Sequence, residues 1–450
     1  MNDVINRLKS QFRGKKVLIV GLGLLGGGVG LAKFFAQLGA KVKVTDKKNK
    51  EQLLPSVDKL KHLSINYTLG KHDLDDFLET DFIFKAPKMR WDDPLIVTAQ
   101  KKGVQIEMET SFFAKLCPAP IIGITGTRGK STTTTLIYEI LKKYSGKTVH
   151  LAGNIPQSST INLLSSISPD DLVVMELSSW QLSGFHRKKI SPHIAVFTNF
   201  YPDHLDYYKS MDEYFYDKKA IYFYQKSDDY LVINESLKKI VAKDKKKSKN
   251  IYFSSSDFPN SLLHLKGVHN RENAAAALTV AKVLHLDLDQ CIDTLIHFKG
   301  LPYRQEVVSE KNGITFVNDT TSTTPTATIK ALEAFGNHPI ILILGGNSKA
   351  LPTNVLIDQL IDTDRLILLK GSFTEEIYPT LKKKYPEKII GPYDNLEDAI
   401  KTAYQEAKQF AIRKQQSAIV LFSPGATSFA MFNNEFHRGR EFNRIVKKLK

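Results

Sequence analysis

Gly123-Ile-Thr-Gly-Thr-Arg-Gly-Lys-Ser-Thr132 is the stretch on which the reading of this chain turns. The apolar run Pro120-Ile121-Ile122 before it predicts a strand, and Ser131 to Lys143 after it predicts a helix. A glycine-rich loop in that setting aims backbone N–H groups at a polyphosphate, and the helix N-terminus adds positive potential. Lys130 can reach the outer phosphates, and the hydroxyl of Ser131 or Thr132 can hold Mg2+. The expected ligand is therefore ATP or GTP. Ile124 stands where the strict phosphate-loop pattern has its first glycine. A glycine turn that binds nothing is the plain alternative, and the Gly-Lys-Ser-Thr end argues against it.

Upstream lies a second unit of the same kind. Lys15 to Val20 predicts a strand, Gly21-Leu-Gly23-Leu-Leu-Gly26 a glycine turn, and the residues through Gln37 a helix. The next strand, Lys41 to Thr45, ends at Asp46, twenty residues after Gly26. In this dinucleotide-type fingerprint the glycines permit a tight turn and close phosphate approach, and the acid can bond a ribose hydroxyl. It specifies a nucleotide diphosphate pocket better than it specifies NAD. A turn serving only helix–sheet packing is the alternative.

Downstream, Asp171 to Glu176 reads as a buried strand with a carboxylate at its C-terminal end, the edge where ligands of open α/β sheets gather. His193 to Thr198 is another such strand, feeding Asn199-Phe-Tyr-Pro-Asp-His204-Leu-Asp206. Met211 to Gln225 predicts an aromatic-rich helix bearing Lys218 and Lys219, and Asn273 to Leu284 an alanine-rich one. After the turn Lys299-Gly-Leu-Pro302, strands and helices alternate again: Ile314 to Asn318, Pro325 to Phe335, Ile340 to Leu344, Arg365 to Lys370, Leu396 to Lys408, Ala418 to Phe422 and a last helix near Phe429 to Lys448. The expected fold class is α/β: a three-domain chain of Rossmann-like and P-loop-type, mostly parallel sheets with helices on both faces. The expected domains are residues 1–116, with a nucleotide diphosphate pocket, 117–299, with the phosphate loop, and 300–450.

Bulk properties narrow the function. The chain has 450 residues, 42% of them hydrophobic, enough for several cores. A net charge of +16 suits nucleic acid, an anionic membrane surface or small anionic substrates. The excess sits partly in the runs Lys238-Lys239 and Lys243 to Lys249, which lack interleaved aromatics, so nucleic acid is not an expected partner. Cys117 and Cys291, far apart, exclude a disulfide scaffold and suit a reducing cytoplasm. Val17 to Ala32 carries no charge for sixteen residues, but it holds six glycines and falls short of the roughly 20 residues of a spanning helix. No membrane insertion is expected, and the chain is expected to act in the cytoplasm as a monomer.

Taken together these motifs resemble the Mur ligases, ATP-dependent amide-forming enzymes of peptidoglycan synthesis. The family loop Gly-x-Thr-Gly-Thr-x-Gly-Lys-Ser/Thr matches Gly123 to Ser131. Ala152-Gly-Asn-Ile155, Met175-Glu-Leu-Ser-Ser-Trp-Gln-Leu182, Asp203-His-Leu-Asp206, Gly267-Val-His-Asn270 with Asn273, Gly300-Leu-Pro-Tyr-Arg304, Asn318-Asp319, Leu344-Gly-Gly346 and Phe422-Ser-Pro424 follow in collinear order. The glycine-rich start, the Glu-Leu-Ser-Ser run and the C-terminal Ser-Pro-Gly-Ala-Thr-Ser-Phe segment point to the glutamate-adding branch. The resemblance implies an acyl-phosphate route, with UDP-N-acetylmuramoyl-L-alanine and D-glutamate as substrates. It implies the UDP-substrate for the first domain, ATP for the second, and ATP with the incoming amino acid for the third.

It also implies roles for residues. Lys130, Glu176, His204 and Lys218 would be catalytic, and Ser131, Glu176, His204 and Lys218, as a CO2-derived carbamate, would hold Mg2+. Lys219 competes with Lys218 for the carbamate. Gly126, Thr127, Arg128, Gly129, Lys130, Ser131 and Thr132 would contact ATP, joined by Asn270, Asn273, Arg304 and Asp319. Leu24, Leu25, Asp46 and Lys47 would hold the uridine diphosphate, Asn154 the muramoyl-peptide end, and Thr323, Lys349 and Ser428 the carboxylates of glutamate. The chain departs from the family pattern at Arg128, Tyr303, Thr321 and Glu435. The last two lie near the amino-acid site and leave an L-glutamate-adding variant, or another Mur ligase, open. Two other classes compete: an NAD-dependent oxidoreductase, which leaves Gly123 to Thr132 without a task, and a regulatory nucleotide-binding module.

Overall fold

The computed structural model describes residues 2–24, 26–155, 159–205, 207–259, 267–336, 338–428 and 431–449. Packing of the chain divides it into two units. The first comprises Met1–Phe200, Asp212–Ser254 and Ala274–Thr294, and the second Tyr201–Met211, Ser255–Asn273 and Leu295–Lys450.

The first unit holds two parallel sheets. Strands β1 (Lys16–Val20), β2 (Lys41–Asp46), β3 (Ile65–Leu69), β4 (Phe82–Phe84) and β5 (Gln105–Glu107) stand in the order β3-β2-β1-β4-β5. Strands β6 (Ile121–Thr125), β7 (Val149–Gly153), β8 (Leu172–Glu176), β9 (Ile194–Phe197), β10 (Tyr230–Asn234) and β11 (Lys249–Phe253) stand as β11-β10-β9-β6-β8-β7. Strand β1 shows why the chain reads as nearly continuous apolar runs there. Val17 and Ile19 enter one core, Leu18 and Val20 another, so both faces of the sheet are covered. A continuous apolar cluster includes residues of both sheets, from Leu8 to Val241.

The second unit holds β12 (Glu306–Lys311), β13 (Ile314–Asn318), β14 (Ile340–Gly345), β15 (Arg365–Leu369), β16 (Ile389–Tyr393) and β17 (Ala418–Phe422), ordered β12-β13-β17-β14-β15-β16. All pairings are parallel except β12 with β13. Ile341 and Ile343 pack on one face, Ile340, Leu342 and Leu344 on the other.

The expected mostly parallel α/β fold is present, with several local differences. Strand β6 runs through Gly123 to Thr125, so the phosphate loop proper begins at Gly126. The helix after it spans Lys130–Tyr144. The alanine-rich helix starts at Val268 rather than Asn273, because the polar residues of its first turns mask the helical pattern. The last helix is Glu435–Lys448, and residues 429–430 fall outside the described set. The lysine run does have aromatic neighbours: Lys238 lies 5.1 Å from the Tyr252 ring and Lys249 5.1 Å from that of Tyr230, supplied across strands rather than along the sequence. Among the described residues, no helix is long and apolar enough to cross a membrane.

Candidate active site

In the central sheet β6 lies between β8 and β9, the point where strand order reverses and ligands collect. The loop at its C-terminal end is held by the start of the segment after β9. Asn199 accepts the Arg128 N–H at its Oδ1 (2.8 Å) and the Thr127 N–H at its carbonyl (3.0 Å). The Thr198 hydroxyl donates to the Arg128 carbonyl at 2.7 Å. Gly126 has no room for a side chain, since a Cβ there would sit 1.9 Å from Thr198 Oγ1. Gly129 takes the left-handed conformation at φ 79° and no side chain caps the Lys130–Tyr144 helix, so its first N–H groups face the loop's ligand position.

Two ammonium groups meet at this loop. Lys130 Nζ donates to the carbonyls of Gly126 (3.1 Å) and Thr127 (3.0 Å), and Lys218 Nζ to that of Gly126 (2.8 Å). Lys218 is 1% exposed and lies 4.8 Å from the ring of Tyr214, one turn earlier on the helix Met211–Phe223. The Tyr214 hydroxyl in turn reaches Thr127 Oγ1 at 3.4 Å. Lys219 points elsewhere and pairs with Asp244 at 2.9 Å. Helical geometry thus separates the two lysines that the sequence left in competition.

Glu176 ends β8 and is 3% exposed. Its Oε1 accepts from Asn154 Nδ2 at 3.0 Å, and its carbonyl accepts the Asn154 N–H at 2.9 Å. Gly153 (φ 89°) permits that approach, since a Cβ there would meet the Glu176 carbonyl at 2.0 Å. The next helix, Ser179–Lys188, opens with a capping box between Ser178 and Gln181, which explains the Ser-Ser-Trp-Gln part of the motif. A strand-end carboxylate and the Ser131 hydroxyl are hard oxygen donors of the kind Mg2+ takes.

The N-terminal glycine turn is built differently. It sits at the end of β1, between β2 and β4. Asp46 at the end of β2 accepts the Gly23 N–H at Oδ2 (3.1 Å) and the Lys48 N–H at Oδ1 (2.9 Å). The Ser56 hydroxyl donates to the Gly23 carbonyl at 2.7 Å. The acid expected to bond a ribose therefore shapes the turn. Leu24 is half-buried and Lys47 exposed, while Leu25 lies outside the described residues. At the end of β4, Lys85 is 2% exposed, donates to the Met89 carbonyl at 2.7 Å and lies 4.5 Å from the Trp91 ring; burial lowers its pKa to about 7.

In the second unit, Asp203 gathers three of the expected residues. Its Oδ1 accepts the His204 N–H at 2.9 Å and lies 3.8 Å from Lys349 Nζ, which donates to Thr323 Oγ1 at 3.2 Å. The His204 ring stands 3.7 Å from Asp203 Oδ2. Asp319, just past β13, is fully buried, and burial raises its pKa to about 6; hydrogen bonds from Ser322, Ser423 and the Gln305 N–H, and the charge of Arg304, oppose that rise. Asn273 Nδ2 donates to Asn270 Oδ1 at 3.3 Å, and both stand on the helix Val268–Val283. Next to them His269 is pushed down to about 4 by burial. The Ser428 hydroxyl is buried without a hydrogen bond.

Several supporting residues escaped the sequence reading. Asn199 and Thr198 carried a usable signal, their position at a strand's C-terminal edge. Asp203 lay inside a quoted motif. Arg438 carried none, because an arginine on a basic helix reads as solvated. It is 1% exposed, bonds Thr320 Oγ1 (2.8 Å), the Thr320 carbonyl (2.7 Å) and that of Ala426 (3.2 Å), and is lowered to about 10 by burial.

With this geometry in place, comparison with known proteins is informative. Residues 15–107 match the Mur ligase MurD-like N-terminal domain, 124–262 the Mur ligase middle domain, and 303–424 the Mur ligase glutamate ligase domain. The UDP-N-acetylmuramoylalanine–D-glutamate ligase of Roseiflexus sp. (strain RS-1) is 35% identical over 473 residues, covering 97% of this chain and 99% of its own. That of Clostridium tetani (strain Massachusetts / E88) is 35% identical over 471 residues and 100% of both chains. Among solved structures, the UDP-N-acetylmuramate-alanine ligase MurC of Thermotoga maritima aligns with a TM-score of 0.61 at 20% identity, covering 97% of this chain and 100% of that one. The MurF ligase of Thermotoga maritima in complex with ADP aligns at 0.58 and 19% identity, covering 100% of both. These two likenesses establish the fold.

Proposed function

The chain belongs to the Mur ligase family, and we propose that it joins D-glutamate to UDP-N-acetylmuramoyl-L-alanine in an ATP-driven step of peptidoglycan precursor synthesis. The observation that carries this reading in the chain itself is the convergence of Lys130 and Lys218 on the Gly126 carbonyl. An uncapped helix N-terminus with the Lys130 ammonium beside it forms a receptor for a transferring phosphoryl group, and the buried Lys218 next to it is placed to act there as a metal-holding carbamate.

A carboxylate in water does not form an amide unaided. In the proposed route the alanyl carboxylate attacks the γ-phosphorus of ATP and ADP leaves, giving an acyl phosphate. The neutral amine of glutamate then adds to that carbonyl, and the tetrahedral intermediate expels inorganic phosphate as the amine proton is lost. Phosphoryl transfer asks the protein mainly for positioning and charge neutralisation. Lys130 and the N-terminus of its helix supply these at the γ-phosphate, which replaces the two carbonyls that Lys130 now contacts. Ser131, Glu176 and Lys218, as a carbamate, would hold Mg2+, a role to which His204 is also assigned, and the bound ion would supply further positive charge. Asn154 keeps Glu176 in one rotamer. Asn270, Asn273, Arg304 and Asp319 are assigned to ATP, and Lys349, Thr323 and Ser428 to the two carboxylates of glutamate. The buried, unbonded Ser428 hydroxyl supports that last assignment, because an incoming acceptor oxygen would satisfy it.

The same reading assigns residues 1–116 to the UDP end of the substrate, including Leu24, Leu25, Asp46 and Lys47, residues 117–299 to ATP, and residues 300–450 to ATP and amino acid. It takes the enzyme as a cytoplasmic monomer without nucleic-acid partners. An oxidoreductase would leave both lysines of the loop without a task. The test is phosphate release from ATP, Mg2+ and UDP-N-acetylmuramoyl-L-alanine with D-Glu or L-Glu supplied separately. Release with D-Glu alone is expected. Release with L-Glu alone would move the assignment to the other enantiomer, and none with either would remove it.

A further inference from the structure

At the amino-terminal edge of the central sheet, opposite the phosphate loop, His193 immediately precedes β9 and Asp229 immediately precedes β10. The Tyr230 N–H donates to the His193 carbonyl at 2.9 Å and Tyr230 pairs with Ile194, so His193 and Asp229 form the next rung of the same parallel ladder. Asp228 is adjacent in sequence. One metal-ligand-type atom from each of the three lies within 4.8 Å of the others.

Asp229 is the informative member. It is 4% exposed, and its Oδ2 accepts the Lys226 N–H at 2.7 Å, which fixes the carboxylate's orientation. Its buried Oδ1 carries no hydrogen bond, although His193 Nδ1 stands 2.8 Å away. The 2.8 Å separation is that of a His–Asp ion pair, and it brings one nitrogen and one oxygen of metal-ligand type side by side. Bonds of ~2.1 Å in zinc's tetrahedral geometry put neighbouring ligand atoms ~3.4 Å apart, so a bound ion would open this pair by a small rotamer shift. A buried carboxylate oxygen with only one imidazole nitrogen against it keeps acceptor capacity that a cation would take up.

We propose that His193, Asp228 and Asp229 bind a divalent metal ion of the zinc class. One imidazole with two carboxylates suits Zn2+ or Co2+ better than Mg2+, which prefers an all-oxygen shell. The exposed edge of the His193 ring leaves the remaining coordination positions to water. The ion would pin together the starts of β9 and β10. Strand β9 delivers Thr198 and Asn199 to the phosphate loop from its other end, so the pin steadies a strand on which that loop rests.

The test uses the full chain, stripped with EDTA and returned to millimolar Mg2+ so that hard oxygen sites are filled. Zn2+ is titrated by calorimetry and Co2+ by its visible d–d absorption, in the wild type, His193→Ala and Asp228→Asn. The expected result is a binding event in the wild type that weakens at least tenfold in each variant, while Mg2+-dependent ligation is unchanged. Binding curves of the same stoichiometry and affinity in all three proteins, or no event in the wild type, would overturn the proposal and leave an ordinary His–Asp ion pair. Asp228 is exposed, so its variant carries the test even if the His193 replacement perturbs folding.

Discussion

The two glycine turns of the first unit, at the ends of β1 and β6, share one local grammar and differ in charge. Both follow a central parallel strand, both sit where strand order reverses, and both lead into a helix whose N-cap is a left-handed glycine, Gly26 at φ 97° and Gly129 at φ 79°. At the first turn a carboxylate, Asp46, satisfies backbone N–H groups from a neighbouring strand. At the second, two ammonium groups satisfy a backbone carbonyl. Asp46 stiffens the first turn, which in the proposed reading holds the part of the substrate that is carried along unchanged. At the second, in the same reading, Lys130 exchanges its two carbonyl partners for a phosphate, while Lys218 takes up CO2 to hold the metal. The backbone of the first loop is thus tended by a carboxylate and that of the second by the Lys130 ammonium.

The strongest way to break this contrast is to remove its cation. Lys130→Ala should lower kcat by at least about 10²–10³-fold, the range for a lost transition-state donor, with little change in folded stability. Near-normal phosphate release would end the argument for the second loop. Next in size, Lys218→Ala should lose about 10–100-fold or more, by analogy with a disrupted metal shell, and short carboxylates should restore part of it if the lysine works as a carbamate. Lys219→Ala should stay close to wild type, because its ammonium is spent on Asp244. Equal losses in the two variants would undo the assignment. At the first loop the expected effect is smaller and of another kind. Asp46→Asn leaves one acceptor for two backbone N–H groups, so one charge-assisted hydrogen bond, worth about 1.5–3 kcal/mol, is lost, and KM for the UDP-substrate should rise at least roughly tenfold while kcat and KM for ATP hold.

The contrast between the loops was only half legible in the sequence. The glycines, the strand before each turn and Lys130 follow a spacing that physical chemistry reads directly. The work of Asp46 did not, since the twenty-residue interval says which acid is near the turn and not whether it faces ligand or backbone. Lys218 and Lys219 were inseparable by composition; a rotation of about 100° along a helix sends one to Gly126 and the other to Asp244. Asn199, Asp203 and Arg438 act through contacts with residues 71, 146 and 118 positions away, a distance no local pattern spans. The alternation of strands and helices, by contrast, depends on local periodicity, and the three mostly parallel sheets are as expected.

The mildest prediction concerns the lysine that the first loop does possess. Lys85 lies beside the turn, since a Cβ on Gly21 would stand 3.0 Å from that of Ala86. Its ammonium ties the 86–89 segment through the Met89 carbonyl rather than facing a ligand. If the contrast holds, Lys85→Met should leave kcat within a few-fold of wild type and act on stability alone. Burial, the main cause, lowers the folded pKa to about 7 from an ordinary 10.5, partly opposed by Asp217 and helped by Arg187. Between those two values the unfolded chain holds more protons at this site than the folded one, so stability rises with pH. Below about pH 7 both states are protonated and the full desolvation penalty remains; above about 10.5 it is gone. Urea midpoints of wild type and variant at pH 6.5, 8 and 9.5 should therefore diverge in favour of the wild type as pH rises. A flat difference would mean that Lys85 keeps its proton in the fold, and a large fall in kcat would place a working cation at the first loop and erase the distinction between the two.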